Sequence, residues 1–312
     1  MSKVFVAGCG RSGTSYLRTI IDAHPQIFIP NECLFLVDYL KYGNRVPVNL
    51  LRWLFFREPQ LRCFYERGAF QFSKIHEAIA RVHEVEAAEF GATIWGQKTP
   101  RFVRHLDLFD SAFNDIYWLL IYRDPRAVAA SMRQSSQHPS SLSRICKRWR
   151  RDNAPIINLL DGKSDRSNVM LVKYEELITD YENSIAQIFD YLQVPPITAA
   201  EVNARGRPVF FKRSRFKMNT IRGDLYPNPE QLTNWKTELS NTEIAYIESQ
   251  CMREMQLMGY EPIASGKPGK AGLQGWKDGA IVVQYLLKWP EYLFFTVLRK
   301  MIFTLFRWRS PS

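Results

Sequence analysis

One stretch near the N-terminus decides the fold: Gly8-Cys9-Gly10-Arg11-Ser12-Gly13-Thr14-Ser15. It follows a short apolar run, residues 4–7, and precedes a helical pattern. The spacing G-x-x-x-x-G-x-[ST] is that of a Walker A loop, but Thr14 stands where the lysine should follow Gly13. A cation, Arg11, lies three positions earlier. Because the Walker lysine reaches the β- and γ-phosphates of a nucleoside triphosphate, this exchange indicates a phosphate ligand other than ATP or GTP.

The same loop has the chemistry of an anion site. Backbone N–H groups at a helix N-terminus bind anions through hydrogen bonds and the helix dipole. Gly8, Gly10 and Gly13 would let the main chain wrap closely around a phosphate. Arg11 adds a permanent charge, and Thr14 or Ser15 adds a hydroxyl. The sequence therefore predicts a phosphate-binding loop between a strand and a helix.

Apolar strands alternate with helical patterns along most of the chain. The predicted strands are Lys3–Ala7, a short piece at 27–29, a piece starting at Ile94, Ile116–Tyr122 and Val169–Val172. A helix over Thr14–Ala23 follows the first strand. This alternation predicts an α/β fold, with a P-loop-like parallel β-sheet flanked by helices. Ligands then bind at the carboxyl ends of the strands.

A second phosphate site is predicted after the strand 116–122. Arg123 stands at the strand end, and Ser131 follows eight residues later on a helix. An arginine fork with a hydroxyl two helical turns on can hold a phosphate. Two other interpretations stay open for the segment 123–126: a helix start with a local ion pair, or a Walker-B-like metal ligand at Asp124.

Three parts of the chain differ in composition. Residues 1–265 form the main domain, with a helical insertion at about 34–92 that forms either a lid or a wall of the acceptor site, or is plain helical packing. A Gly/Lys/Pro linker follows at 266–278. Segment 279–312 is aromatic and basic, and it favours an amphipathic helix lying in a membrane interface. Packing of this helix on the domain or on a second subunit, as in a homodimer, is the alternative.

Charge and cysteine usage limit the partners and the compartment. The formal net charge is +11 and the pI is about 9.4, which favours anionic partners. Five cysteines without C-x-x-C spacing are typical of reduced thiols in the cytoplasm. No signal peptide is recognised at the N-terminus. His76 and His83 lie seven residues apart without a third ligand, so no metal site is predicted.

The chain resembles sulfotransferases, most closely the branch that includes tyrosylprotein sulfotransferases and many bacterial enzymes. The matching motifs are Gly10-Arg11-Ser12-Gly13-Thr14-Ser15-x-Leu17, Asp22-Ala23-His24-Pro25, Glu32, Arg123-Asp124-Pro125-Arg126 through Ser131, Val172-Lys173-Tyr174-Glu175-Glu176-Leu177 and Asn234-Trp235-Lys236. They occur in a consistent order over residues 3–262. The family transfers a sulfuryl group from 3′-phosphoadenosine 5′-phosphosulfate (PAPS) to a hydroxyl, without a metal.

The resemblance also implies roles for individual residues. The catalytic set is Glu32, Lys98 and Arg11, and the donor-binding set is Gly10, Arg11, Ser12, Gly13, Thr14, Ser15, Arg123, Ser131 and Arg222. Glu32 corresponds to the general base and Lys98 to the lysine near the leaving oxygen. The small-molecule branch has a catalytic histidine where Pro100 stands here, which moves the base role to Glu32, with His105 in reserve. Arg222 is our choice from the cation-rich stretch 205–222 to cover the nucleotide.

The sequence thus favours a PAPS-dependent sulfotransferase. Its acceptor is predicted to be a saccharide, glycolipid or lipid-linked glycan, because the C-terminal segment suggests peripheral contact with the cytoplasmic face of a membrane. Sulfation of tyrosine or of a small alcohol or phenol stays open. Two other classes remain as alternatives: a P-loop kinase that uses Mg²⁺ and ATP, and a non-catalytic membrane-binding module. Nucleic acid is not among the predicted partners.

Overall fold

A parallel sheet lies at the centre of the protein. The computed structural model describes residues 1–30, 32–58, 61, 71–134, 141–205, 227–264 and 290–308. Within these residues the strands are β1 (Lys3–Gly8), β2 (Ile27–Phe28), β3 (Ile94–Lys98), β4 (Ile116–Tyr122) and β5 (Val169–Lys173). Their order is β2-β3-β1-β4-β5, and every pairing is parallel. The predicted α/β fold with a P-loop-like parallel sheet is confirmed.

Helices cover both faces of this sheet. In chain order they are α1 (Thr14–Asp22), α2 (Leu36–Tyr42), α3 (Val48–Phe55), α4 (Ile75–Glu89), α5 (Leu106–Asp110), α6 (Pro125–Gln134), α7 (Leu142–Leu160), α8 (Tyr174–Thr179), α9 (Tyr181–Tyr191), α10 (Ala199–Arg205), α11 (Trp235–Glu238), α12 (Asn241–Leu257) and α13 (Pro290–Leu305). Short 3₁₀ helices occupy Gly43–Arg45, Pro100–Arg104 and Pro229–Leu232. None of the described helices is long and apolar enough to cross a membrane.

Strand β1 shows why the sheet is buried on both sides. All six of its residues are buried, and alternate side chains point to opposite faces. Val4 and Val6 belong to the core under α1, α8, α9 and α10. Phe5 belongs to the larger core under the remaining helices, where it contacts Trp118 with ring centroids 5.0 Å apart. An uninterrupted apolar strand is what a central parallel strand requires.

The predicted helical insertion at 34–92 contains α2, α3 and α4, and α13 packs on it. Arg299 of α13 is buried and pairs with Glu58 and Asp38. Tyr39 donates a hydrogen bond to Glu58 at 3.0 Å, and Phe303 meets the ring of Tyr39 edge-on. One face of the C-terminal helix is therefore docked on the domain, as the packing alternative expected. The predicted linker at 266–278 lies outside the described residues.

Candidate active site

The phosphate-binding loop joins β1 to α1 through a left-handed turn. Gly13 has φ 92°, and a Cβ there would lie 2.4 Å from Tyr174 Cδ2, so this position requires glycine. Arg11 is also left-handed, at φ 71°. Ser12 is fully buried, and its Oγ has no hydrogen-bond partner among the described residues. The loop thus holds strained backbone and an unsatisfied polar atom where the first-turn amides of α1 begin.

Two distant segments bring a second cation and a hydroxyl to this loop. Arg11 Nε donates to Ser131 Oγ at 3.0 Å, across 120 residues of sequence. Arg123, which follows β4, donates from Nη2 to the carbonyl of Gln231 at 3.0 Å and lies 4.2 Å from the ring centroid of Tyr174. Arg123 Nε is buried without a hydrogen-bond partner among the described residues. The structure therefore places Arg123 and Ser131, the two residues predicted to hold the second phosphate, next to Arg11 of the loop.

Lys98 and Glu32 form an ion pair at the other end of the loop. Lys98 ends β3, and its Nζ donates to Glu32 Oε1 and to Ser15 Oγ, the latter at 3.2 Å. The Lys98 side chain is 5% exposed, whereas that of Glu32 is 36% exposed. Burial lowers the pKa of Lys98, and the neighbouring charge of Glu32 opposes that shift. The pair therefore has one buried member and one member that solvent or a ligand can reach.

The segment before Glu32 is held in place by buried polar contacts. Ile29 N donates to Asp22 Oδ1 at 2.8 Å, and Arg18 donates to the Ile29 carbonyl while pairing with Asp22. On the other side of Glu32, the amide of Cys33 donates to Thr99 Oγ1 at 3.2 Å. Thr99 directly follows Lys98. The backbone on each side of the carboxylate is thus tied to α1 and to the end of β3.

Three other residues that the sequence analysis singled out are Arg222, Asp124 and His105. Arg222 lies outside the described residues. Asp124 accepts hydrogen bonds from the backbone N, Nε and Nη2 of Arg126, so its carboxylate serves the helix-start ion pair rather than a metal. Burial lowers the pKa of His105, and the neighbouring charges of Lys41 and Arg104 lower it further.

Buried contacts explain the position of His83 on α4. His83 is buried against Trp95, and its ring nitrogens meet the Ile79 carbonyl at 2.7 Å and Gln97 Nε2 at 2.7 Å. Burial lowers the pKa of His83 to about 4, so the ring is neutral. Among the described residues no group of three or more His, Cys, Asp or Glu side chains could hold a metal.

Sequence reasoning missed three contributors at the loop. Tyr174 packs against Gly13 and Arg123, but in the sequence it was only part of a family landmark. Gln231 supplies a carbonyl to Arg123. Arg148 of α7 lies against Gly10, where its Nη2 would be 2.8 Å from a Cβ. Nothing in the spacing of Arg148 signals this contact, because α7 reaches the loop only through the tertiary fold.

Comparison with known proteins now decides the family. Residues 3–198 match the family model described as the sulfotransferase family. The chain belongs to the sulfotransferase family. The match is to the family as a whole, so the likeness to its tyrosylprotein branch stays a prediction. No curated protein sequence is similar enough to match.

Two solved structures resemble this sulfotransferase in fold. The sulfotransferase domain from the curacin biosynthetic pathway has a TM-score of 0.61 at 17% identity, over 84% of this chain and 99% of that one. The sulfotransferase domain from the Synechococcus PCC 7002 olefin synthase has a TM-score of 0.56 at 19% identity, over 83% of this chain and 94% of that one. At such identities the likeness establishes the fold, and family membership establishes sulfuryl transfer as the reaction class.

Proposed function

We propose that this sulfotransferase transfers the sulfuryl group of PAPS to a hydroxyl of a saccharide, glycolipid or lipid-linked glycan. The observation that carries the proposal is the distribution of charge around one loop. Arg123 lies at one side of the loop and Lys98 lies beside Glu32 at the other, while Arg11 belongs to the loop itself. A donor with a 3′-phosphate and a 5′-phosphosulfate carries anionic groups at two separated points, which suits two separated cationic sites.

The unsatisfied polar atoms support donor binding at this loop. Ser12 Oγ and Arg123 Nε are both buried without hydrogen-bond partners among the described residues. Leaving such atoms unpaired costs about 1–3 kcal/mol each, so a ligand that supplies acceptors is favoured there. Phosphate oxygens accept several hydrogen bonds at once. Gly10, Ser12, Gly13, Thr14 and Ser15 would hold the 5′-phosphosulfate.

The Lys98–Glu32 pair suits the chemistry of the transfer. The acceptor oxygen forms a bond to sulfur, and the bond from sulfur to the 5′-phosphate oxygen breaks. Glu32 would take the acceptor's hydroxyl proton, since its carboxylate is the partly exposed member of the pair and an acceptor can reach it. Lys98 and Arg11 would stabilise the negative charge that grows on the bridging and equatorial oxygens. The products are the sulfated acceptor and adenosine 3′,5′-bisphosphate (PAP).

The first experiment follows labelled sulfate from PAPS into the lipid, saccharide and peptide fractions of a cell extract. We expect label in the saccharide or lipid fraction. Glu32→Gln and Lys98→Met should each reduce transfer by about 100-fold or more, which is in the range for a general base or a charge-stabilising donor. The affinity of the Glu32→Gln variant for PAP should change little. The matched controls Glu238→Gln and Lys147→Met alter exposed side chains and should keep wild-type rates.

Three results would contradict this assignment. Wild-type rates in both Glu32→Gln and Lys98→Met would remove these residues from the reaction. A thermal shift with Mg-ATP and none with PAP would favour the kinase class instead. Retained PAPS binding without any sulfated product would favour a non-catalytic module. We also expect EDTA to leave the rate unchanged, because a phosphate leaving group needs no Lewis acid.

We propose in addition that α13 contacts the anionic cytoplasmic face of a membrane. Opposite its docked side, the helix and the turn after it present exposed apolar side chains at helical spacing: Phe294, Val297, Met301, Leu305 and Trp308. Lys300 and Arg307 are exposed beside this stripe. Apolar and aromatic side chains flanked by cations suit the headgroup region of an anionic bilayer.

Co-sedimentation with vesicles tests the membrane contact. We expect the protein to bind vesicles of phosphatidylserine and phosphatidylcholine more strongly than vesicles of phosphatidylcholine alone. Leu305→Glu should weaken binding about tenfold, because it buries a charge in the interface. Leu160→Glu makes the same change at an exposed leucine at the end of α7 and should bind as the wild type does. Equal binding by both variants, or a dimer that Leu305→Glu dissociates, would contradict the membrane assignment.

A further inference from the structure

A group of arginines converges on one buried carboxylate beside the phosphate-binding loop. Asp152 of α7 is 1% exposed and accepts a hydrogen bond from Arg104 Nε at 2.5 Å. Arg148 Nε lies 3.4 Å from its second oxygen, and Arg151 Nε lies 3.9 Å from its first. Arg101 is exposed, and no ion pair joins it to any described carboxylate. Four guanidinium groups thus share a single counter-charge in the described part of the chain.

This arginine cluster (Arg101, Arg104, Arg148 and Arg151) borders the reaction centre on two sides. Arg148 Nη2 would lie 2.8 Å from a Cβ on Gly10, the residue before Arg11. Arg101 follows Lys98 by three residues, so their Cα atoms are at most about 11 Å apart. The 3₁₀ helix Pro100–Arg104 starts directly after Thr99, which binds the backbone next to Glu32. The Cα atoms of Arg101 and Lys98 are therefore no further apart than one or two sugar units can span.

The cluster keeps an excess of positive charge that the fold does not neutralise. The pKa of Arg101 is lowered, first by desolvation and then by the neighbouring charges of Arg148 and Arg104. By contrast, Arg166 has two carboxylates to itself, because it pairs with both Asp107 and Asp110. Like charges held together without counter-charges repel each other, and a bound anion removes that repulsion. The arrangement has the character of a binding site for an anionic group.

We propose that Arg101 and Arg148 bind an acidic group of the acceptor, a carboxylate or a phosphate, while its hydroxyl is presented to Glu32. This inference rests on the proposed function and names the acceptor class as anionic. The two donor sites are accounted for by Arg11, Arg123 and Lys98, so the arginine cluster serves the other substrate. Guanidinium groups bind carboxylates and phosphates through two parallel hydrogen bonds, which would also fix the orientation of the acceptor.

The test measures binding of defined glycosides to the PAP-saturated protein by isothermal titration calorimetry. The probes are 4-nitrophenyl β-D-glucoside, the corresponding β-D-glucuronide and the 6-phosphate of the glucoside. We expect at least one anionic probe to bind about tenfold or more tightly than the neutral one, the size of effect that one charge-assisted pair gives. Whether the glucuronide or the phosphate gains more identifies the acidic group.

Two variants test whether the arginine cluster causes the preference for the anionic probe. Arg101→Gln and Arg148→Gln should each reduce the preference for the anionic probe to about threefold or less, and the affinity of Arg101→Gln for PAP should stay unchanged. Arg101 is exposed, so its variant tests the idea even if Arg148→Gln perturbs folding. The matched control Lys147→Gln removes an exposed charge on the same helix and should keep the wild-type preference.

The outcomes separate this inference from the proposed function. Equal binding of all three probes to a protein that binds PAP would overturn the inference and leave the proposed function standing. A loss of PAP affinity in Arg101→Gln and Arg148→Gln, with the preference intact, would assign these arginines to the donor and also overturn it. Failure of the wild-type protein to bind PAP would instead overturn the proposed function.

Discussion

Arg123 and Arg126 stand three residues apart after the same strand. Among the described residues, carboxylates pair with Arg126 but not with Arg123. Arg126 is buried among carboxylates: Asp124 and Glu248 both pair with it, the Glu261 carbonyl accepts a further bond, and Trp235 lies under its guanidinium at 4.3 Å. The Arg123 guanidinium donates to the neutral carbonyls of Arg11 and Gln231, lies over the ring of Tyr174, and leaves Nε without a partner among the described residues.

The difference separates a structural charge from one that is available to a ligand. The hydrogen-bonding capacity of Arg126 is used by the fold, so an incoming phosphate would have to displace carboxylates. The partners of Arg123 are uncharged, so its positive charge is not neutralised by any carboxylate in the described part of the chain. Arg123 therefore suits anion binding and Arg126 suits anchoring of α12 to α6. Substituting each in turn tests this division.

The largest effect is expected for Arg126→Met. The substitution leaves Asp124 and Glu248 buried without their cation, and their side chains are only 9% and 3% exposed. Breaking such a buried pair costs about 3–5 kcal/mol of unfolding free energy. Denaturant titration measures it. Any protein that remains folded should bind PAP nearly as the wild type does. A variant with wild-type stability would show that Arg126 is not the anchor we describe.

A smaller effect is expected for Arg123→Met, and it concerns ligand affinity rather than unfolding free energy. PAP affinity should fall by about 30–100-fold, since a charged hydrogen bond to a phosphate contributes about 2–3 kcal/mol. Unfolding free energy should change by about 1 kcal/mol or less, because the carbonyls left behind lie at the edge of the site. Arg133→Met, on the helix α6 that follows Arg123, removes a partly exposed pair with Glu243 and serves as the control. If Arg123→Met destabilises the fold while PAP binding is kept, the two arginines have exchanged roles.

Much of the fold could be predicted because the signals are local. The strand 116–122 coincides with its prediction, and the strand starting at residue 3 differs only by the inclusion of Gly8. The turn that binds phosphate has a spacing signature in eight consecutive residues. Arg11 and Ser131 are brought together because both follow strands that are neighbours in the sheet. Because β1 and β4 are parallel neighbours, the two motifs that follow them lie at the same edge of the sheet and form one site.

The contributions that were missed depend on helices that cross the site from elsewhere. Arg148 lies on α7, whose face is decided by packing against α12 rather than by a motif. The docking of α13 through Arg299 likewise depends on carboxylates some 240 residues away in sequence. Asp124 could be a metal ligand or an ion-pair partner until the position of Arg126 is known. Side-chain pairing between distant elements is the information that a single sequence does not carry.

Lys98 falls between the two arginines in the way its charge is paired, and its replacement by arginine is expected to have the smallest effect of the three substitutions. Its charge is paired, like that of Arg126, but its partner Glu32 is partly exposed and has to act on the substrate. Burial lowers the pKa of Lys98 below the ordinary value of 10.5. If protonated Lys98 stabilises the leaving oxygen, activity is present below its pKa and falls as pH rises through it. The alkaline limb of kcat/KM should therefore have its midpoint below pH 10.5.

Lys98→Arg checks this interpretation, because a guanidinium stays protonated over the whole range. The variant should have a lower kcat, because the larger guanidinium group fits the buried position less well. Its pH profile should lack the alkaline limb. Lys147→Arg, at an exposed site, should keep the wild-type profile. An alkaline limb at the same pH in wild type and Lys98→Arg would assign the titration to another group. Lys98 would then belong with Arg126, as a charge that holds Glu32 in place without taking part in the transfer.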